Sequence, residues 1–390
     1  MQPDFSELDA ALDSAGADGF LIYAASDDSN QRYLSGFDAP DPFLTLYDGD
    51  VHLFVSPLEY GRAKKESGAA TLARGSEFGY RELVDEYGPA EATHRVWTNF
   101  LDSHDVSSVL VPTDFPLGHG DGLRGQGVEV TADDDDVLRD IRAVKLPQEI
   151  AHVRAAQKAN EQAMKTAETL ISEASVEDGV LYHEGEPLTS ERVRQEIELT
   201  LLRHGCALDE TIVACGVDAA DPHDRGSGPL LAEESIIVDI FPRGKESKYF
   251  ADMTRTFVKG TPSDELQAWY DVTDVALEAA LDAVKPGATG KEVHDVVCDI
   301  YEEAGYPTLR ADDTTEVGFI HSTGHGVGLD IHEMPSVSPR GEELKPGHII
   351  TIEPGLYDPD VGGVRIEDII VVTEDGYENL TDYPKTFVLD

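Results

Sequence analysis

Four carboxylates stand where a folded chain seldom tolerates them. Asp239 closes the apolar run Ile236-Ile237-Val238, and Asp252 opens Met253-Thr254-Arg255-Thr256-Phe257. Glu353 ends Ile350-Thr351-Ile352, and Glu367 sits within Val364-Arg365-Ile366-Glu367-Asp368-Ile369-Ile370. In extended chain, alternation puts Asp252, Thr254 and Thr256 on one face, and Arg365 on the same face as Glu367. Taken singly, each reads as an edge or turn residue. A carboxylate on the core side of a strand is costly unless it is paired or bound to metal. Four such positions in one half of the chain need a shared cause, and a cluster around divalent cations supplies one.

The histidines supply the rest. His321, His325 and His332 fall within twelve residues, and Gly324 and Gly326 flank the middle one. Glycine on both sides is expected to let the backbone approach a ligand or metal closely. One imidazole among four carboxylates makes an oxygen-rich site. Such a site favours Mn2+, with Co2+ or Zn2+ as alternatives, over a structural zinc.

In chain order Asp239, Asp252, His325, Glu353 and Glu367 resemble the five-ligand signature of the pita-bread metallopeptidases, which include methionine aminopeptidase, aminopeptidase P and prolidase. The resemblance rests on Asp252-Met-Thr-Arg-Thr-Phe, Gly324-His-Gly-Val-Gly, His332-Glu333, Glu353-Pro-Gly and Arg365-Ile-Glu-Asp, and it covers residues 150–390. The interval from Asp239 to Asp252 is slightly longer than the family's, and the turn-like Arg243-Gly-Lys-Glu-Ser247 can hold the difference. The resemblance implies two divalent ions bridged by Asp252 and Glu367. Asp239 would complete one of them, and His325 with Glu353 the other. It further implies that the ions activate a hydroxide and that Glu353 shuttles a proton to the leaving proline nitrogen. His223, after Asp221-Pro222, and His332 would flank the substrate. His321 and Arg365 would support or contact it. A structural role for the three histidines His223, His321 and His332 is the competing reading.

The elements that must position these residues divide the chain near residue 140. Residues 1–140 carry short apolar runs, Gly19–Tyr23, Val51–Val55 and Ser108–Pro112, between helical stretches, which predicts an α/β domain on a mixed or parallel sheet. This part resembles the creatinase-type N-terminal domain of the proline-specific branch, and the Asp-rich 131–136 reads as its closing loop. Residues 141–390 carry helical patterns at 148–173, 190–204, 263–284 and, from the Thr289/Glu292 capping box, to Gly305. Strand patterns fall at 235–240, 249–258, 349–353 and 363–372. The expected second domain is α+β, with helices on one side of a largely antiparallel sheet.

Composition narrows the function further. Acidic residues number 77 against 30 basic ones, a net charge of −47. The acidity runs through both halves, which excludes nucleic acid as a partner. Self-repulsion on this scale is relieved by screening, so the balance predicts a cytosol of multimolar salt. No apolar run spans a bilayer and no basic-then-apolar leader opens the chain, so the expectation is a cytoplasmic protein away from membranes. Cys206, Cys215 and Cys298 lack metal-ligand spacing and are expected as free thiols. The resemblance also implies a homodimer acting on proline-containing peptides. The reading is therefore an Xaa-Pro aminopeptidase or dipeptidase, leaning to the former because Ser336 stands where some prolidases place an arginine. A methionine aminopeptidase-like enzyme and a non-catalytic pita-bread binding protein are the alternatives.

Overall fold

The computed structural model describes residues 3–390. They form two compact units, one ending at Arg142 and the other running from Ala143 to Asp390.

The first unit is built on β1 (Gly19–Ala24), β2 (Phe43–Tyr47), β3 (Val51–Phe54), β4 (Thr71–Ala73), β5 (Ser108–Pro112) and β6 (Glu129–Asp133), in the spatial order β4-β3-β2-β1-β5-β6. The two hairpin steps are antiparallel; the β1–β5, β3–β4 and β5–β6 pairs are parallel, so the sheet is mixed. Both faces are covered. Trp97, Phe100 and Leu101 from the helix Pro89–Asp102 pack with Leu21, Leu44 and Val109, and Leu8, Leu12 and Leu138 pack with Phe20 and Ile22. The Asp-rich stretch expected as a loop is in part β6, because its backbone pairs from Ser108↔Glu129 to Pro112↔Asp133. An edge strand needs backbone partners on one side only, so its polar side chains can face water.

The second unit carries two helix pairs, each on its own sheet. Helices Pro147–Ser172 and Ser190–Arg203 bury Met164, Ile171, Val193 and Ile197 against Val213, Val238, Ile240 and Phe257. Their sheet runs Thr211–Cys215, Ile236–Ile240, Met253–Lys259 and Val388–Leu389, antiparallel except for the last pair. Helices Asp264–Ala283 and Gly290–Glu303 bury Leu266, Leu277, Val293 and Tyr301 against Ile350, Ile352, Ile370 and Val372. The second sheet orders as Glu333–Val337, Gly324–Gly326, Ile349–Ile352, Asp368–Thr373 and Gly376–Asn379, and a separate hairpin pairs Gly355–Asp358 with Gly362–Arg365. The capping box at Thr289 and Glu292 forms as its spacing predicts. The single strand expected over 363–372 is instead two strands in different sheets, interrupted at Ile366 and Glu367. The break has a tertiary cause: the Glu367 amide donates to the Thr254 carbonyl at 3.1 Å, leaving its own ladder for the facing sheet.

Candidate metal centre and active site

Register brings the first two carboxylates together. Asp239 pairs with Thr254 across the sheet, and Asp252 sits immediately before that strand begins. Thr254 Oγ1 donates to Glu367 Oε2 at 2.8 Å, which fixes the third carboxylate over the same strand. From the other sheet, the Glu353 amide donates to the Thr323 carbonyl at 2.8 Å, placing Glu353 beside the strand that carries His325. Asp252, His325 and Glu367 offer ligand atoms that all lie within 4.8 Å of one another.

The glycines around His325 serve a different approach from the one expected. A Cβ on Gly324 would lie 2.0 Å from the Thr351 carbonyl oxygen, and one on Gly326 would lie 2.2 Å from that of Met334. They admit neighbouring strands rather than a ligand.

His325 Nδ1 lies 3.1 Å from the Gly326 carbonyl, an acceptor only, so this nitrogen carries the hydrogen and Nε2 carries the lone pair. Burial holds the imidazole neutral, with its pKa pushed down to about 3. That lone pair faces Asp252 Oδ2 at 3.6 Å and Glu353 Oε1 at 3.5 Å. Lone pairs of both kinds converge there, an electrostatic conflict that either a proton on a carboxyl or a cation resolves. Burial and the charges of Glu367, Asp239 and Glu353 drive the Asp252 carboxyl well above the usual range. Burial pushes Glu353 up to about 8, opposed by Arg365 and reinforced by Asp239. Glu367 is raised by burial and then by Glu353 and Asp239. Asp239 has one oxygen on Arg365 and the other, Oδ1, buried without a hydrogen-bond partner among the described residues. This donor set fits divalent cations: four carboxylates, a neutral imidazole correctly oriented, and an orphaned buried oxygen.

Arg365 spends its donors on protein groups. It is 3% exposed, and its guanidinium donates to Thr254 Oγ1, the Pro222 carbonyl, Tyr357 Oη and, at 2.7 Å, Asp239 Oδ2. A chain of contacts runs on from it. Tyr357 Oη receives Arg365 Nη1 at 2.8 Å and donates to His321 Nε2 at 3.0 Å, while His321 Nδ1–H donates to the Ser322 carbonyl. His321 thus reaches Asp239 through two side chains. His332 is exposed, with its ring centre 4.3 Å from that of His325. His223 is also exposed; burial chiefly, and to a lesser extent the neighbouring His223, lowers the pKa of both His321 and His332.

Neither Tyr357 nor Arg255 stands out in the sequence as a site residue. Arg255 is 1% exposed and all five of its N–H groups are used: on the carbonyls of Thr254, Glu367, Tyr383 and Pro384 and on Asp368 Oδ1. A polar residue alternating within an apolar strand was the available signal for Arg255. For Tyr357 it was a phenol in an apolar run, which needs a partner when buried. The three cysteines are free, and burial raises Cys215 to about 12, which leaves it an inert thiol.

A profile of metallopeptidase family M24 matches residues 151–374, which hold all five ligand candidates. The chain belongs to this family. The creatinase/prolidase N-terminal domain matches residues 5–96. Among similar proteins, an Xaa-Pro dipeptidase of Pyrococcus furiosus is 35% identical over 90% of this chain and 90% of its own. An Xaa-Pro dipeptidase of Pyrococcus horikoshii is 30% identical over 95% and 94%. The crystal structure of the prolidase from Pyrococcus horikoshii OT3 superposes with a TM-score of 0.77 at 28% identity, covering 98% of each chain. An Xaa-Pro dipeptidase from Bacillus anthracis, at 24% identity and a TM-score of 0.81, shares the fold over 98% of each chain. As an M24 metallopeptidase this is an enzyme dependent on divalent metal ions, with a creatinase-type α/β domain ahead of a pita-bread catalytic domain. Among the described residues no helix is long and apolar enough to cross a membrane.

Proposed function

We propose that this M24 metallopeptidase hydrolyses the bond between an N-terminal residue and proline. The observation that carries the reading is the convergence of Asp252, Glu353 and Glu367 on the lone pair of a neutral His325, with the Asp239 charge acting on all three carboxyls. Relatives that are Xaa-Pro dipeptidases over nine-tenths of the chain supply the substrate class. They also shift the balance from aminopeptidase towards dipeptidase. The creatinase/prolidase N-terminal domain speaks against the methionine aminopeptidase alternative. The boundary between the domains is placed near residue 140, supported by the division of the structure after Arg142.

Asp252 and Glu367 would bridge two divalent ions, with Asp239 on one and His325 and Glu353 on the other. Two such ions match the four negative charges of the carboxylates, and the oxygen-rich set supports manganese. When bound, they supply Lewis acidity at the scissile carbonyl and a water acidic enough to attack at neutral pH. The chain's own groups do the rest. Glu353, steadied by Thr351 Oγ1 at 3.3 Å, takes the proton released as water oxygen adds to the carbonyl carbon. It returns that proton to the proline nitrogen as the C–N bond breaks. His332 and His223, on the exposed side, donate to the oxygen that gains charge. Arg365 positions Asp239, and Tyr357 couples His321 to that pair. A homodimer in a salty cytoplasm, supported by the resemblance and the charge, completes the reading.

The test is turnover of Ala-Pro beside Ala-Pro-Ala with added Mn2+. A dipeptidase cleaves the first much faster. Faster cleavage of the tripeptide points to an aminopeptidase, and no cleavage of either overturns the proposal.

A further inference from the structure

Away from the catalytic centre, the first unit gathers two histidines and a carboxylate of its own. Asp48 ends the β2 side of the hairpin, His52 lies on β3, and His104 follows the helix Pro89–Asp102. One ligand atom from each lies within 4.8 Å of the others. We infer that Asp48, His52 and His104 form a second, independent binding site for a borderline transition-metal ion, of which Zn2+ is the type.

The geometry suits such an ion. His52 Nε2 is 2.9 Å from Asp48 Oδ1, and His104 Nδ1 is 3.8 Å from Asp48 Oδ2. Zinc bonds of about 2.0–2.2 Å to nitrogen and oxygen give a tetrahedral edge of about 3.4 Å, which the three ligand atoms, all within 4.8 Å of one another, can take up with small side-chain shifts. His52 is aimed from behind: its Nδ1 lies 2.8 Å from Thr71 Oγ1, its partner across the parallel β3–β4 pair. Asp48 Oδ1 only accepts, so without an ion Nε2–H donates to it and Nδ1 accepts from the Thr71 hydroxyl; an ion taking the place of that proton leaves Nδ1–H to donate to the same hydroxyl, as a metal-ligating histidine needs. The His104 ring makes no hydrogen bond among the described residues, and at 3.8 Å it is beyond one to Asp48. The two rings lie 4.0 Å apart, and Phe100 packs edge-on against His104 at 5.1 Å, restricting where that ring can turn.

Two imidazoles and one carboxylate select imidazole-loving ions such as Zn2+ over Mn2+ or Mg2+. Three protein ligands leave a fourth position for water. The ligands differ in burial, His52 within the sheet and the other two partly open, so the ion could enter from solvent without unfolding. Bound there, it would tie the loop at 103–105 to the β2–β3 hairpin.

The site is tested on the full chain by equilibrium dialysis against Zn2+ in molar potassium chloride with excess Mg2+. These conditions suppress loose binding by the acidic surface. Elemental analysis then counts zinc in the parent, His104→Ala and Asp48→Asn proteins. The parent should hold one more zinc per chain than either variant, while Mn2+-supported cleavage of Ala-Pro stays equal. Co2+ in place of zinc should give a tetrahedral d–d absorption that His104→Ala lacks. His104 sits on a partly exposed loop, so circular dichroism should show the variant folded as the parent is. Equal zinc counts in parent and His104→Ala, or a cobalt spectrum unchanged by the substitution, would overturn the inference.

Discussion

Asp252 is buried among three other carboxylates, so its charge is tolerable only with a cation beside it. Replacing it with asparagine removes a bridging ligand and a charge together. The Asp252→Asn protein should lose Xaa-Pro hydrolysis entirely, yet its metal-free form should melt no lower than the metal-free parent, because repulsion in the cluster has fallen. Activity at the parent rate would show the ligands were drawn wrongly. His325 and His332 lie side by side but should fail differently. His325→Ala should lose bound metal, since its Nε2 lone pair faces the carboxylates. His332→Ala should keep its metal and lose about two to three powers of ten in kcat, the scale of one lost oxyanion contact. Elemental analysis beside steady-state kinetics separates the two. The candidate ligands could be singled out in the sequence because a carboxylate in an apolar strand is costly unless it is paired or bound to a cation. The work of Arg365 was not, because alternation reveals its face but not its partners: Asp239 lies 126 residues away in the chain.

At the scale of elements, the second unit depends on how the Met253–Lys259 strand grips the break at Glu367. Arg255 is the clamp, with five N–H groups on five acceptors. Arg255→Met would leave the Asp368 carboxylate and four carbonyls without that donor. It should cost about 3–5 kcal/mol in urea unfolding, the usual penalty for breaking a buried ion pair. A loss below about 1 kcal/mol would mean the strands hold without it. A second element-level effect concerns pH. His348, 4% exposed, accepts the Lys345 amide on Nδ1, and burial with the Lys145 and Lys345 charges lowers it to about 4 from 6.5. Between those values the unfolded chain binds more protons than the folded one, so stability falls as pH falls through that window. The contribution is about 2 kcal/mol by pH 5. His348→Gln should flatten the acid side of the stability curve by that amount; parallel curves for the two proteins would refute it.

For the whole molecule, the dominant quantity is the net charge of −47. Its repulsion acts over about 30 Å at 0.01 M salt and over about 3 Å at 1 M. The melting temperature should therefore rise steeply between about 0.1 M and about 3 M potassium chloride. Equal values would remove the salt-adapted reading, although the fold and the metal centre would stand. The charge is compatible with a packed interior because the cores are ordinary: Leu, Ile, Val and Phe under two helix pairs and one mixed sheet. The acidity lies mainly outside these cores, as on Asp134 and Asp135 or Glu233 and Glu234.

What the chain's letters determined by themselves were local matters. Helical spacing, the Thr289–Glu292 capping box and apolar runs ended by carboxylates follow from contacts within a few residues. So do the five ligand candidates, since a charge in a buried strand conflicts with its immediate neighbours. Tertiary structure alone decided what depends on partners far along the chain. It split the 363–372 run between two sheets, because the Thr254 carbonyl captures the Glu367 amide. It made Gly324 and Gly326 a matter of strand approach, because the carbonyls of Thr351 and Met334 crowd them. It joined Arg255 to Asp368, and Asp48 and His52 to His104. Such pairings are set by register and sheet order, which the period of an apolar pattern does not encode.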